Sequence, residues 1–215
     1  MEIGQPTKAV LYFHKRDKAM SKKDDDELAT TRLHVMPGEV KKLRDAAKKG
    51  RNGHRNETMI YMAYRHGLRV HELVRFKWDQ VLWEEEDVYI QRCKGSESGT
   101  HPMDDWEMKA LRALARAAKA EKGWVFRSER GDKMSENGFY KMLSRAGKAA
   151  GLAFDVHPHM LRHGTGFRMN AERCNTRTIQ GWLGHKNIAN TERYTAMGSS
   201  HYREAGLGRE KGRRS

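Results

Sequence analysis

His157-Pro158-His159-Met160-Leu161-Arg162-His163-Gly164 is where this 215-residue chain concentrates its chemistry. Proline suits the first turn of a helix, where its missing N–H has no role. A helix starting at Pro158 sets His159, Arg162 and His163 three or four residues apart, on neighbouring positions of one face. A face of histidine and arginine fits an anion. Leu183-Gly184-His185 follows, and Tyr194 comes nine residues after His185. His159 and His163 also have the i, i+4 spacing of a zinc helix. Met160 stands where a metalloprotease needs glutamate, however, and no nearby carboxylate completes a ligand set, so no metal site is assigned.

Outward from this segment the chain reads mostly as helix. Further helical stretches are expected at 176–183 and 188–196, with Asn190-Thr191 able to cap the helix that carries Tyr194. Upstream, Ser135 caps a helix bearing Phe139, Met142 and Leu143, and Leu111, Leu114 and Ala115 mark another over 104–121. Pro37, Val40 and Leu43 open a helix that stops near Gly50. Met59, Ile60, Ala63 and Tyr64 support a second, broken at Gly67, and Val70 begins a third. Between Val81 and Met103 the period changes to that of strands. Val81-Leu82-Trp83, Val88-Tyr89-Ile90-Gln91 and Thr100 to Met103 make a small antiparallel meander, with Lys94 in the second turn. The expected class is mainly α with a small three-stranded antiparallel sheet.

The formal net charge of +14 and the pI near 9.9 favour a polyanionic partner. Residues 37–198 hold 30 Lys/Arg against 20 Asp/Glu, so most of the excess falls on the segment with the chemical motifs. Residues 1–36 read as a polar, flexible leader, and residues 199–215 as a basic, flexible tail. No apolar run is long enough to span a bilayer, no secretory signal is visible, and no basic helix has a clean apolar face for a membrane surface. A cytoplasmic, nucleoid-associated protein is expected. Cys93 and Cys174 support neither a disulfide framework nor a four-cysteine zinc site.

Arg69-x-x-Glu72, Lys94 in a β-turn, His159-x-x-Arg162, Leu183-Gly184-His185 and Tyr194, in that order, resemble the tyrosine recombinase (integrase) family over roughly residues 37–198. Within it, residues 157–164 and the closing Asn187-Ile188 to Tyr194-Thr195-Ala196 look like the short fimbrial phase-variation invertases. The resemblance implies the DNA breaking-rejoining fold of a recombinase catalytic domain and site-specific strand exchange through a 3′-phosphotyrosyl intermediate, leading to inversion, integration or excision. It implies no cofactor and no metal. It also implies a double-stranded DNA recombination site as substrate and a homotetramer on two such sites, linked through C-terminal segments. Only 36 mostly polar residues precede Pro37, where phage-type integrases carry a helical core-binding domain. DNA would then be held by the catalytic domain, leader and tail, or with a partner such as an accessory DNA-bending protein.

The implied roles follow physical needs. A tyrosine hydroxyl keeps the phosphodiester energy in a covalent bond, and Tyr194 is the candidate; Tyr202 lies in the Gly/Ser-rich tail, where nothing fixes it. Arg69 and Arg162 answer charge growing on the phosphate oxygens with bidentate guanidinium forks. Lys94 resembles the general acid for the leaving 5′-oxygen. His159 resembles the residue that orients Tyr194 or takes its proton, and His185 the donor to a non-bridging oxygen. Glu72 would hold Arg69 or His159, and His163 would support the site from behind. Gly164 and Gly166 depart from the usual pattern, each costing a helix about 1 kcal/mol, and are expected to serve close packing against a neighbouring helix or the DNA backbone. A non-catalytic DNA-binding regulator and a topoisomerase-like nicking-closing enzyme are the competing readings.

Overall fold

The computed structural model of the protein describes residues 33–118 and 122–195. The expected leader up to residue 32, and the tail with Tyr202, lie outside the described residues. Eight α-helices and three short strands make up the described fold.

Helices α1 (Pro37–Lys48) and α2 (Gly53–Arg65) pack as a pair, α1 also against α5 (Glu136–Ala149), and α2 against α4 (Asp105–Ala118) and α6 (Pro158–Ala171). Leu43, Met59, Ile60, Leu111, Phe139 and Leu143 are fully buried in the shared core. The helix starts follow their chemistry. Pro37 and Pro158 occupy first turns, and the Ser135 hydroxyl accepts the Gly138 N–H at 3.0 Å. Helix α3 (Val70–Val74) is a short turn whose entry residue is Arg69.

Strands β1 (Val81–Leu82), β2 (Asp87–Ile90) and β3 (Gly99–Pro102) form the antiparallel meander in the order β1-β2-β3, with Val88 opposite Val81 and His101. The alternation is that of a half-buried sheet: Val88 and Ile90 point inward, and Tyr89 is 42% exposed. Behind the sheet His66 and Glu107, both buried, bond at 2.7 Å, while the His101 ring stacks on Trp182 at 4.0 Å. This joins β3 to α7 (Thr176–Leu183).

A second, smaller cluster of Met169, Ile179, Leu183 and Tyr194 lies between α6, α7 and α8 (Ala189–Thr195). Here one expectation is corrected. Asn190 and Thr191 lie inside α8 rather than capping it. The Asn187 side chain accepts the Ala189 N–H at 3.0 Å instead, and Thr191 is buried against His185.

Candidate active site

Gly67, at the end of α2, is where the site begins. Its φ of +60° is a region that favours glycine, and a side chain there would run into Leu183. The turn delivers Arg69 in an extended conformation at the start of α3, so the Glu72 carboxylate one turn on reaches back to it. Glu72 accepts the Arg69 backbone N–H and Nη1, both at 2.9 Å, the Arg92 Nη1 at 2.9 Å and the Cys93 N–H at 3.2 Å. Burial alone would raise its pKa, but Arg92 and these N–H groups prevail and hold the carboxyl below its usual value. Glu72 thus grips Arg69 and Arg92; no bond joins it to His159.

Arg162 projects from α6 into the same centre and is 4% exposed. It donates to the carbonyls of Gly67 and, at 2.7 Å, Leu183. Burial, followed by the nearby Arg92 and Arg69, lowers its pKa to about 9, which leaves it charged at neutral pH. Three guanidiniums therefore converge with a single carboxylate, an excess of positive charge suited to an anion.

The turn after β2 brings Lys94 to the rim. Lys94 is exposed and makes no hydrogen bond or ion pair to any described residue. It lines a cavity of about 260 Å³ with His71, Glu72, Arg75 and Arg92. Beyond it, Arg69 Nη1 reaches the Ser96 hydroxyl at 3.0 Å, and the Glu97 N–H donates to the Gly184 carbonyl at 3.1 Å. Gly184 closes α7 at φ +67°, so His185 enters the centre directly after it. His185 Nδ1 meets the Thr191 hydroxyl at 2.9 Å; burial, then Arg162 and Arg69, lower the ring's pKa to about 4.

Tyr194 is 3% exposed, its ring stacked with that of His185 and edge-on to Phe167 at 5.3 Å. Its hydroxyl lies 2.8 Å from His163 Nδ1. The expected partner was His159, but one turn along α6 decides otherwise: His163 turns toward α8, and His159 faces solvent with its ring 6.5 Å from that of His163. Burial, then Arg193 and His159, lower the His163 pKa to about 3, so its ring is neutral. Burial pushes the Tyr194 phenol up, against the pull of Arg162 and Arg193.

The two unexpected glycines are explained by contacts within the protein. A Cβ on Gly166 would lie 2.7 Å from the Tyr194 ring, and one on Gly164 would lie 2.8 Å from the Val35 carbonyl and 2.9 Å from Tyr64.

The structure thus brings Arg69, Glu72, Arg162, His163, His185 and Tyr194 to one centre, with Arg69 bonded to Glu72, His163 to Tyr194 and His185 to Thr191, and with Lys94 and His159 at its edge. Arg92 was missed. Its signal was the strand period, which puts Arg92 on the inward face with Val88 and Ile90. Among the described residues no cluster of three or more His, Cys, Asp or Glu side chains is placed to hold a metal ion, and no helix is long and apolar enough to cross a membrane.

Residues 34–201 match the Phage integrase family. The type 1 fimbriae regulatory protein FimB of Escherichia coli is 36% identical over 168 residues, 76% of this chain and 84% of that protein. Its FimE counterpart from the same species is 34% identical over 181 residues, 82% and 90% of the two chains. Tyrosine recombinase XerA of Thermococcus kodakarensis is 31% identical over 170 residues, 78% of this chain and 59% of that one. A crystal structure of XerA recombinase superposes with a TM-score of 0.71 at 26% identity, covering 84% of this chain and 66% of that one.

Proposed function

Because the chain belongs to the phage integrase family and is a tyrosine recombinase, we propose that Arg69, Lys94, His159, Arg162, His185 and Tyr194 carry its strand-exchange chemistry, with Glu72 and His163 supporting them. The observation behind this reading is a buried tyrosine hydroxyl, paired with a neutral histidine, in a centre where three guanidiniums face one carboxylate.

In this mechanism Arg69 and Arg162 clamp the non-bridging oxygens of the scissile phosphate, where charge builds in the transition state. Arg162 uses two of its five N–H groups on carbonyls, which orients the fork and leaves others for the phosphate. The Tyr194 oxygen attacks phosphorus and the bond to the 5′-oxygen breaks. The phenol proton passes to His163 Nδ1, and Lys94 Nζ gives a proton to the departing 5′-oxygen. The His163 pKa is depressed partly by neighbouring cations; a DNA phosphate offsets that field and makes the ring a better acceptor. With Nδ1 accepting the Thr191 hydroxyl, His185 donates from Nε2 to a phosphate oxygen. His159, exposed at the rim, adds a second donor there. Attack by the 5′-hydroxyl of another strand reverses every step and reseals the DNA.

The reading extends to a homotetramer acting on two duplex sites, with an accessory DNA-bending protein as a further partner. Inversion is the preferred outcome, since the chain matches 84% and 90% of the length of two fimbriae regulatory proteins. Incubation with a nicked suicide duplex carrying the recombination site tests the chemistry. Wild type should give a protein–DNA adduct that survives denaturation, and Tyr194→Phe should give none while still binding. No adduct from wild type would leave the DNA-binding regulator as the better reading; an adduct from Tyr194→Phe would remove Tyr194 as nucleophile.

A further inference from the structure

Arg92 lies two residues before Lys94, and its side chain is 1% exposed. It donates to the Glu72 carboxylate at 2.9 Å and to the carbonyls of His66 at 2.8 Å, Gly67 at 3.2 Å and Trp182 at 2.5 Å. These acceptors belong to the turn before Arg69, the glutamate that grips Arg69, and the end of α7 just before Gly184-His185. The Arg92 backbone N–H in turn donates to the Ser98 hydroxyl at 3.0 Å, across the base of the turn that carries Lys94. A Cβ on Gly184 would lie 3.0 Å from Arg92 Cγ, so the glycine before His185 also leaves room for this side chain.

We propose that Arg92 is a positioning residue for strand cleavage: its bonds to Glu72 and to the carbonyls of His66, Gly67 and Trp182 lock the Lys94 turn in register with Arg69 and His185. This rests on the reading of Lys94 as general acid. Exposed and without a partner among the described residues, Lys94 owes its position to the backbone that carries it. Only a planar fork with five donors bridges four acceptors on three segments. Lysine, a single ammonium on a flexible stem, keeps the charge and loses the bridge. A misplacement of about 1 Å at a reacting group costs up to ~10²-fold in rate.

The leaving-group atom separates this role from general damage. Replacing the bridging 5′-oxygen of a suicide duplex by sulfur gives a thiolate leaving group, whose conjugate acid has a pKa near ~8.5 and needs no proton to depart. Arg92→Lys should fold and bind the duplex as wild type does, but cleave the oxygen substrate about 10- to 100-fold more slowly. On the sulfur substrate the deficit should shrink to about threefold or less, as it should for Lys94→Ala and not for Arg162→Ala. If sulfur fails to rescue Lys94→Ala, the general-acid reading itself falls. If it rescues Lys94→Ala but not Arg92→Lys, or if Arg92→Lys cleaves the oxygen substrate normally, the positioning role is overturned. Should Arg92→Lys not fold, Arg92→Gln, which keeps a planar donor and leaves Glu72 on Arg69, takes its place under the same criteria. Failure of both to fold makes Arg92 a folding residue and overturns the proposal.

Discussion

The two sides of the centre are built differently. Arg69, Glu72, Arg92 and Arg162 are tied to each other and to the carbonyls of His66, Gly67, Trp182 and Leu183, and they border the main core. Tyr194 belongs to a small cluster with Met169, Ile179 and Leu183, on a seven-residue helix, and one hydrogen bond to His163 orients its hydroxyl. The arginine side, proposed to face the phosphate, is fixed through a network whose members support one another. The side of the proposed nucleophile rests on a few apolar contacts, so it is the part that yields first.

The largest expected break in this contrast comes from Arg162→Ala. It removes the proposed transition-state donor, takes the Arg162 bond from the Leu183 carbonyl and leaves the Gly67 carbonyl to Arg92. Single-turnover cleavage should fall by about 10²–10³-fold, or ~3–4 kcal/mol, with a clear loss of thermal stability. Cleavage within about threefold of wild type would deny that the network forms the phosphate site.

Gly166→Ala probes the other side. The new methyl would press on the Tyr194 ring, costing about 1–3 kcal/mol of overpacking and slowing cleavage by about tenfold or more. DNA affinity should hold. Titration with labelled duplex alongside cleavage separates the two, and equal losses in both would mean the sides are not separable.

The smallest effect is on pH. His163 and His185 have folded pKa values of about 3 and about 4, below the ordinary 6.5, and so has His101 behind the sheet, at about 2. A histidine depressed by folding contributes its full share above pH 6.5, and that share is lost as acid protonates the unfolded chain preferentially. Each can account for up to ~1.4 kcal/mol per pH unit below 6.5. Two of the three face Tyr194, so hydrogen exchange between pH 6.5 and 4.5 should show protection falling more in α8 than in α2. Equal loss in both helices would break the contrast.

Much of this was legible in advance. The 3.6 and 2.0 periods placed the helices and the meander, because burial of one face leaves a local pattern. Arg69, Arg162, His185 and Tyr194 stood out as an ordered constellation. What stayed hidden depended on which side chain points where. His159 and His163 are one turn apart on the same helix, and local spacing does not say which of them α8 will cover. Arg92 resembled any strand arginine until Trp182, ninety residues later in the chain, supplied its carbonyl.

Sequence alone therefore determined the class of chemistry, because a phosphate, a nucleophile and a proton donor each demand particular residue types, and it determined the order of elements that carries them. The tertiary structure alone decided the wiring: the Tyr194 hydroxyl on His163, Glu72 shared between two arginines, and Gly166 as the seat of the Tyr194 ring. Those pairings join residues up to 31 positions apart, as His163 and Tyr194 are. Such contacts exist only once the helices have packed, since nothing in a residue's immediate neighbours encodes the direction from which a distant segment will approach.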